Sequence, residues 1–292
     1  MKGWKSDRGL EARMAFTFFL LGIIYLAFFT LMVYLGINPS FIAIFSLGAM
    51  FVQYYYSDTI VIKSMGAKIL TESEAPELHE MINRLCSMAD LPKPRIAIVK
   101  TNVPNAFATG RNQRNAVVAV TTGLMQQLNS SELEAVLAHE LTHVKNRDAM
   151  VLTIASFIST LAYYLMLFGG GGRRDKDSGN AILIFLASIV VYAASYLLIM
   201  SLSRYREFAA DRGASIITGQ PSQLASALRK ISVGISRIPN EDLRKVEGAN
   251  AFFIIPAVSK STIFNLFSTH PSLEARLAAL ERIEKELEIS GV

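Results

Sequence analysis

The 292-residue chain has little cysteine and little charge. Its single cysteine, Cys86, excludes an internal disulfide, and the apolar residues around it predict a buried structural thiol. Only 18% of the residues are charged and 51% are hydrophobic, which gives a mean hydropathy of +0.34. Soluble domains carry about 25% charged residues. The composition is therefore typical of a membrane protein.

Basic tracts are also missing, although the net charge is +5. Because no block of Lys and Arg is interleaved with aromatic residues, we predict that the chain does not bind nucleic acid. A basic excess also suits the cytoplasmic face of a membrane protein.

Four long segments lack charge altogether: 14–35, 41–56, 149–168 and 181–203. The first is 22 residues long, and a helix needs about 20 residues to cross the hydrocarbon core of a bilayer. A signal peptide would have a shorter apolar region of about 7–15 residues with a cleavage site after it. Another apolar run follows here instead, so we predict four transmembrane helices in two hairpins.

These runs divide the chain into transmembrane hairpins at 1–56 and 149–203 and polar regions at 57–148 and 204–292. The N-terminus is basic and the first turn is uncharged, so the positive-inside rule predicts a cytoplasmic N-terminus and cytoplasmic polar regions. The loop of the second hairpin would then be external, against the rule, since it holds three basic residues: Arg173, Arg174 and Lys176.

The polar regions predict a mainly helical domain with a small β-sheet. Pro76 opens an amphipathic helix, and the β-branched stretches 95–99 and 116–120 are typical of strands. His79 lies off the apolar stripe of that helix, so we expect it at the surface.

A later helix, capped by Ser130 or Ser131, carries the sequence His-Glu-Leu-Thr-His. Residues four apart share a helix face, so His139 and His143 can chelate one metal ion, with Glu140 directed at a water on that ion. Two imidazoles and a carboxylate suit zinc with an open fourth position. The alternative is a surface helix with two incidental histidines. Acidic residues at 206–211, directly after the fourth apolar run, argue against it.

The motifs occur in a specific order: HExxH, an apolar hairpin, Glu207 four residues before Asp211, and Thr-His-Pro at 269–271. This order resembles the HtpX-type membrane proteases, which share a superfamily with the CaaX prenyl endopeptidases and the mitochondrial inner-membrane stress protease. The resemblance covers essentially the whole chain. It implies a zincin-like α+β catalytic domain of the gluzincin type with one zinc ion (Zn2+) per chain.

The resemblance also implies residue roles. His139, His143 and Glu207 would be the metal ligands, Glu140 the general base, and Asp211 would orient an imidazole. The segment Asn105-Ala106-Phe107 would line the substrate cleft, where an edge strand can pair with an extended peptide.

His270 and Arg276 would face the active site, and we expect both to stabilise the negative charge that develops on the substrate carbonyl in the transition state. The family's second proline in this motif is Ser272 here, and that serine can cap a helix.

Several of these residues have structural alternatives. Asp211 could form a surface ion pair with Arg204 or Arg212, Asn105 could be only a turn residue, His270 a structural histidine and Arg276 an exposed helix residue. Asp148 lies five positions after His143 and could orient a ligand. An interfacial charge before the third apolar run is the favoured interpretation of Asp148.

The function implied is endoproteolysis of misfolded membrane proteins or unfolded polypeptides at the cell membrane of a prokaryote, in quality control. One rival is a CaaX-type prenyl-protein processing protease, although relatives with that activity have more membrane helices. A catalytically inactive membrane scaffold is another. A transporter or channel is disfavoured because the apolar runs lack ionisable residues. The sequence predicts no particular oligomeric state.

Overall fold

A computed structural model of the chain describes residues 7–168, 178–238, 254 and 270–290. The chain forms two compact units. One unit contains Ser6–Tyr55 and Met150–Tyr205, and the other contains Met1–Lys5, Tyr56–Ala149 and Arg206–Val292. The basic residues expected in the external loop lie outside the described residues.

Four helices contribute to the apolar unit: α1 (Arg8–Tyr34), α2 (Pro39–Ser64), α6 (Asp148–Phe168) and α7 (Ser178–Thr218). Residues 56–64 of α2, 148–149 of α6 and 206–218 of α7 belong to the other unit. Of the helices that the structure describes, three are long and apolar enough to cross a membrane, and they span Arg8–Tyr34, Asp148–Leu167 and Asn180–Thr218. Helix α2 is not among these three, and it carries Gln53 followed by three tyrosines. The fourth transmembrane helix therefore stays a prediction.

This unit buries a small apolar core and exposes a large apolar surface. Phe28 and Leu161 belong to one internal cluster, and the Tyr25 hydroxyl donates a hydrogen bond of 2.5 Å to the Ala155 carbonyl. Outward-facing Leu26 and Ile44 are 69% and 73% exposed. An apolar exterior of this kind is stable in lipid and costly in water.

The second unit contains a four-stranded sheet of order β1-β2-β4-β3. Its strands are β1 (Lys68–Ile69), β2 (Arg95–Val99), β3 (Ala106–Thr109) and β4 (Val117–Thr121). Strands β2 and β4 pair in parallel, while β1 and β3 are antiparallel to their neighbours. All five residues of β4 are buried, as expected of a central strand that is covered on both faces.

Five further α-helices in the described residues of this unit pack with one face of the sheet. They are α3 (Pro76–Ala89), α4 (Thr122–Gln127), α5 (Ser130–Asn146), α8 (Pro221–Ser236) and α9 (Leu273–Ser290). Their apolar faces meet in one large core with one face of the sheet, and that core includes Ile82, Leu137, Leu228 and Leu280. Helix α5 contacts both β3 and α8, so it is fixed on two sides.

Three local predictions can be compared with this structure. His79 is buried rather than at the surface, because its Nε2 lies 3.2 Å from the Leu70 carbonyl oxygen. Helix α5 is capped by Asn129 in a capping box with Glu132, and not by either serine. Cys86 is buried as predicted, and burial raises the pKa of its thiol to about 11.

Candidate metal centre

The centre of the site is the buried stretch of α5. His139 and His143 lie one turn apart on this helix, and their Nε2 atoms are 3.1 Å from each other. The capping box at the start of α5 and the packing of its apolar residues in the core fix the position of the helix. Both imidazoles are therefore held towards the same point.

Glu207 reaches the same point from α7. Its Oε2 lies 3.5 Å from His139 Nε2, and its Oε1 lies 3.5 Å from His143 Nε2. The three residues offer ligand atoms that all lie within 4.8 Å of one another. The structure thus brings together the two histidines and the glutamate that sequence spacing and the family resemblance predicted as ligands.

The outer nitrogen of each imidazole faces a carboxylate. His139 Nδ1 lies 3.0 Å from Asp211 Oδ1, and His143 Nδ1 lies 2.6 Å from Asp148 Oδ2. A carboxylate at Nδ1 favours the tautomer with its proton there, which leaves the Nε2 lone pair directed at the shared point. This donor set fits a divalent metal ion. Asp148 is buried beside His143, which favours the alternative that it orients a ligand over that of a simple interfacial charge.

Arg276, on α9, contacts residues of the site and is 1% exposed. Its Nε and Nη2 donate to the two oxygens of Asp211 at 2.9 and 2.6 Å. Its Nη1 donates to the Ile254 carbonyl at 2.8 Å and lies 3.3 Å from Glu207 Oε2. The alternatives of an exposed Arg276 and a surface ion pair for Asp211 therefore do not hold.

His270 is also buried at the site, and its Nδ1 lies 3.3 Å from Glu207 Oε1. It precedes α9, whose start is capped as the sequence predicted: the Ala275 N–H donates to Ser272 Oγ at 3.2 Å. The cap and the contacts of Arg276 hold this end of α9 against α7.

The site carries more negative than positive charge. Among the described residues it contains four buried carboxylates and two guanidinium groups, from Glu140, Asp148, Glu207, Asp211, Arg206 and Arg276. Two negative charges are left without a compensating guanidinium. Burial lowers the pKa of His139, but the carboxylates of Asp211 and Glu207, at 3.0 and 3.5 Å from its ring nitrogens, outweigh it and raise that pKa to about 9. The centre therefore attracts positive charge at neutral pH.

The nearby Glu140 belongs to the same electrostatic environment. Burial lowers the pKa of Arg276, yet the carboxylates of Asp211, Glu207 and Glu140 outweigh it and raise that pKa. Burial also lowers the pKa of His143, and the neighbouring His139 lowers it further. Both effects favour the neutral form of His143, which is the form that binds a metal ion.

The segment Asn105-Ala106-Phe107 leads into β3, at an edge of the sheet beside α5. All three side chains are buried. Asn105 Oδ1 accepts a hydrogen bond of 2.9 Å from the Ile254 N–H, so its side chain holds the segment that also contacts Arg276. The backbone is buried as well: the Asn105 N–H donates to Thr121 Oγ1 at 2.9 Å, and the Asn105 carbonyl accepts from the Thr121 N–H at 2.9 Å.

Sequence reasoning missed Arg206 and undervalued Asp148. Arg206 contacts Asp148 and donates a hydrogen bond of 3.0 Å to the Asn146 carbonyl. Its position directly before Glu207 is the signal that could have indicated it.

A helix that presents two histidines and a glutamate, joined by a second glutamate from another helix, defines a metallopeptidase site. The chain belongs to peptidase family M48, whose sequence model matches residues 72–284. It is 60% identical to the protease HtpX homolog 2 of Methanosarcina acetivorans, over 97% of this chain and 98% of that protein. It is 59% identical to the protease HtpX homolog of Moorella thermoacetica, over 97% of each chain.

The fold also resembles a solved structure, the crystal structure of S. mikatae Ste24p, with a TM-score of 0.59. The match covers 94% of this chain and 67% of that one at 18% sequence identity, so it bears on the fold alone. Three observations together identify the chain as a membrane metalloprotease: its long apolar helices, the match to family M48 and the HtpX relatives.

Proposed function

We propose that the chain is a zinc-dependent endopeptidase that cleaves misfolded or damaged membrane proteins at the cytoplasmic surface of a prokaryotic cell membrane. The observation that carries the proposal is the convergence of His139, His143 and Glu207 with both Nδ1 atoms on aspartates. Two imidazoles and one carboxylate are a common ligand set of catalytic zinc, and they leave an open position.

These three residues would hold one zinc ion per chain. When bound, the ion would polarise the scissile carbonyl and lower the pKa of the attacking water to about 7. The excess negative charge of the site supports a divalent cation, since a buried uncompensated charge is costly.

Glu140 would take the proton of the attacking water and later give it to the leaving amine. Its place on α5, between the two histidines in sequence, suits proton transfer and not ligation. His270 would donate to the oxygen on which negative charge develops. The N–H groups of Arg276 are directed at Asp211, Glu207 and Ile254, so we propose that it positions these groups instead of contacting substrate.

An extended substrate would add to the sheet along β3. This strand lies at the edge of the sheet and contacts α5, which carries the metal-binding histidines. Backbone groups of β3 would hold the peptide at Ala108, the residue of this strand that is not fully buried, and this mode of binding accepts many sequences. The buried residues Asn105, Ala106 and Phe107 would have to become exposed to contact the peptide. Such tolerance suits a protease that removes diverse damaged proteins.

Two experiments test this proposal. Purification in detergent followed by metal analysis should give one zinc per chain, and the protein should cleave casein until a chelator removes the metal. An inactive scaffold would not cleave casein. A preference for prenylated C-terminal peptides over casein would instead favour the CaaX-type reaction.

The orientation in the membrane has its own test. Single cysteines introduced at Lys68 and Glu284 should react only from the cytoplasmic side, and a cysteine at Ser178 should react from outside. Labelling of Ser178 from the cytoplasm alone would contradict the second spanning hairpin.

A further inference from the structure

The two metal-site histidines are held in matching ways. On His139, Asp211 contacts Nδ1 and Arg276 binds Asp211. On His143, Asp148 contacts Nδ1 and Arg206 binds Asp148. Each imidazole thus belongs to a set of three contacting residues: a histidine, an aspartate and an arginine.

We infer that Asp148 and Arg206 are positioning residues of the metal centre, which fix the tautomer and orientation of His143. This inference rests on the proposed metal site at His139, His143 and Glu207. It assigns a role in metal binding to a pair of residues that provide no ligand themselves.

The backbone between α5 and α6 explains how Asp148 reaches His143. On a continuous helix, residues five apart are rotated by about 140° and face different directions. Arg147 adopts a left-handed conformation, with φ of 56°, and its N–H donates to the His143 and Val144 carbonyls. This residue ends α5 and turns the chain, so that Asp148 lies 2.6 Å from His143 Nδ1.

Arg206 completes the arrangement from α7. It contacts Asp148 and also donates to the Asn146 carbonyl near the end of α5. Because Glu207 follows it directly, Arg206 links the helix that provides the glutamate ligand to the turn that orients His143. A substitution of Arg206 should therefore disturb the positions of two of the three ligands, His143 and Glu207.

The two histidine–aspartate–arginine sets differ in burial. Asp211 and Arg276 are almost completely buried, whereas His143 and Arg206 have side chains that are 18% and 12% exposed. Water can therefore partly replace Asp148 as the acceptor for His143. We expect the loss of Asp148 to weaken metal binding without abolishing it.

The test compares zinc dissociation constants by competition with a chromophoric chelator, using the full-length protein in detergent. Asp148→Ala, Asp148→Asn and Arg206→Ala should each weaken zinc binding, by about 10- to 100-fold for Asp148→Ala. The visible spectrum of the cobalt-substituted protein should change in these variants, since it reports ligand geometry. Asp148→Asn keeps the size of the side chain, so it separates the charge from packing.

Asp58→Asn is the matched control. Asp58 is also buried and also pairs with an arginine, at 3.0 Å from Arg95, but on another part of the same unit. It should bind zinc as the wild type does, with the wild-type cobalt spectrum. Asp148→Asn and Arg206→Ala with wild-type affinity and spectrum would overturn the inference, as would an equal loss in the control. A wild-type protein that bound no zinc would overturn the proposed metal site itself, and the inference with it.

Discussion

The two halves of the metal centre differ in how they are encoded and in what they supply. The α5 half provides His139, Glu140 and His143 within five consecutive residues. The C-terminal half comprises Glu207 and Asp211 on α7, Arg276 on α9, and His270, which lies three positions before α9. The first half carries two proposed metal ligands and the proposed base. The second carries the third ligand, His270 and the Asp211–Arg276 pair that holds His139.

This difference shows why a short motif is not sufficient for a site. His139 faces Asp211 from α7, and Asp211 is in turn held by Arg276 from α9. Without these partners the imidazole could rotate, and the buried carboxylates would lack a counter-charge. Substitution of Glu140 in the α5 half should therefore affect mainly turnover, whereas substitution of Arg276 in the C-terminal half should affect mainly stability.

The largest effect is expected for Glu140→Gln, which removes the proposed base and keeps the size of the side chain. Loss of general acid–base catalysis should lower casein cleavage by about 10²- to 10⁴-fold. Zinc content should stay at the wild-type value because Glu140 is not a proposed ligand. Cleavage at a near wild-type rate would contradict the mechanism, and loss of zinc would contradict the division between the two halves.

The next effect is expected for Arg276→Ala in the C-terminal half. Removing one partner of a buried ion pair costs about 3–5 kcal/mol, since Asp211 and Glu207 lose their counter-charge. Thermal unfolding in detergent should show a smaller loss with zinc than with a chelator, because the cation partly compensates these carboxylates.

Arg212→Ala is the control for that measurement. Arg212 is adjacent to Asp211 in sequence, but it pairs with the exposed Glu286 at 2.8 Å. Pairs of this kind contribute about 0–1 kcal/mol. If Arg276→Ala were no less stable than Arg212→Ala, the proposed framework role of Arg276 would be wrong.

His270→Ala sharpens the comparison, because it removes the one residue of the C-terminal half to which we assign a role in the reaction. A donor at the developing negative charge contributes about 2.7–4 kcal/mol to the transition state. The variant should therefore lose turnover while KM and zinc content change little. His79→Ala removes a buried histidine outside the site and should keep wild-type turnover. A loss of zinc, or turnover at the wild-type rate, would assign His270 to the structure instead.

The α5 half could be predicted from sequence because helical periodicity directly converts spacing into a shared face. The order of motifs also indicated Glu207 and Asp211. The contact between His143 and Asp148 could not be deduced by periodicity, since it depends on one left-handed residue between two helices. The burial of Asn105 likewise depends on Ile254, which lies 149 residues further along the chain.

The same reasoning accounts for two smaller differences between the predictions from sequence and the structure. His79 is off the apolar stripe of α3, yet the Leu70 carbonyl covers it, and no pattern within α3 contains that information. Helix α2 was predicted from its lack of charge, whereas its tyrosines and Gln53 make it less apolar than the other three helices.

The smallest effect is expected at the turn between α5 and α6. Glycine and valine substitutions there distinguish an effect on backbone conformation from an effect on overall stability. Arg147 has φ of 56°, and Asp90 at the end of α3 has a similar φ of 53°. A left-handed conformation costs a non-glycine residue about 1–2 kcal/mol, and glycine's own flexibility costs about 0.5–1 kcal/mol. Arg147→Gly and Asp90→Gly should therefore change the free energy of unfolding little, with slight stabilisation.

Valine at the same two positions should give different results. A β-branched residue disfavours the left-handed conformation, so Arg147→Val and Asp90→Val should both destabilise the protein. Only Arg147→Val should also weaken zinc binding, because only that turn places Asp148 beside His143. Chelator competition on the four variants measures this directly. Equal zinc affinity in Arg147→Val and Asp90→Val would mean that the turn does not control the orientation of His143.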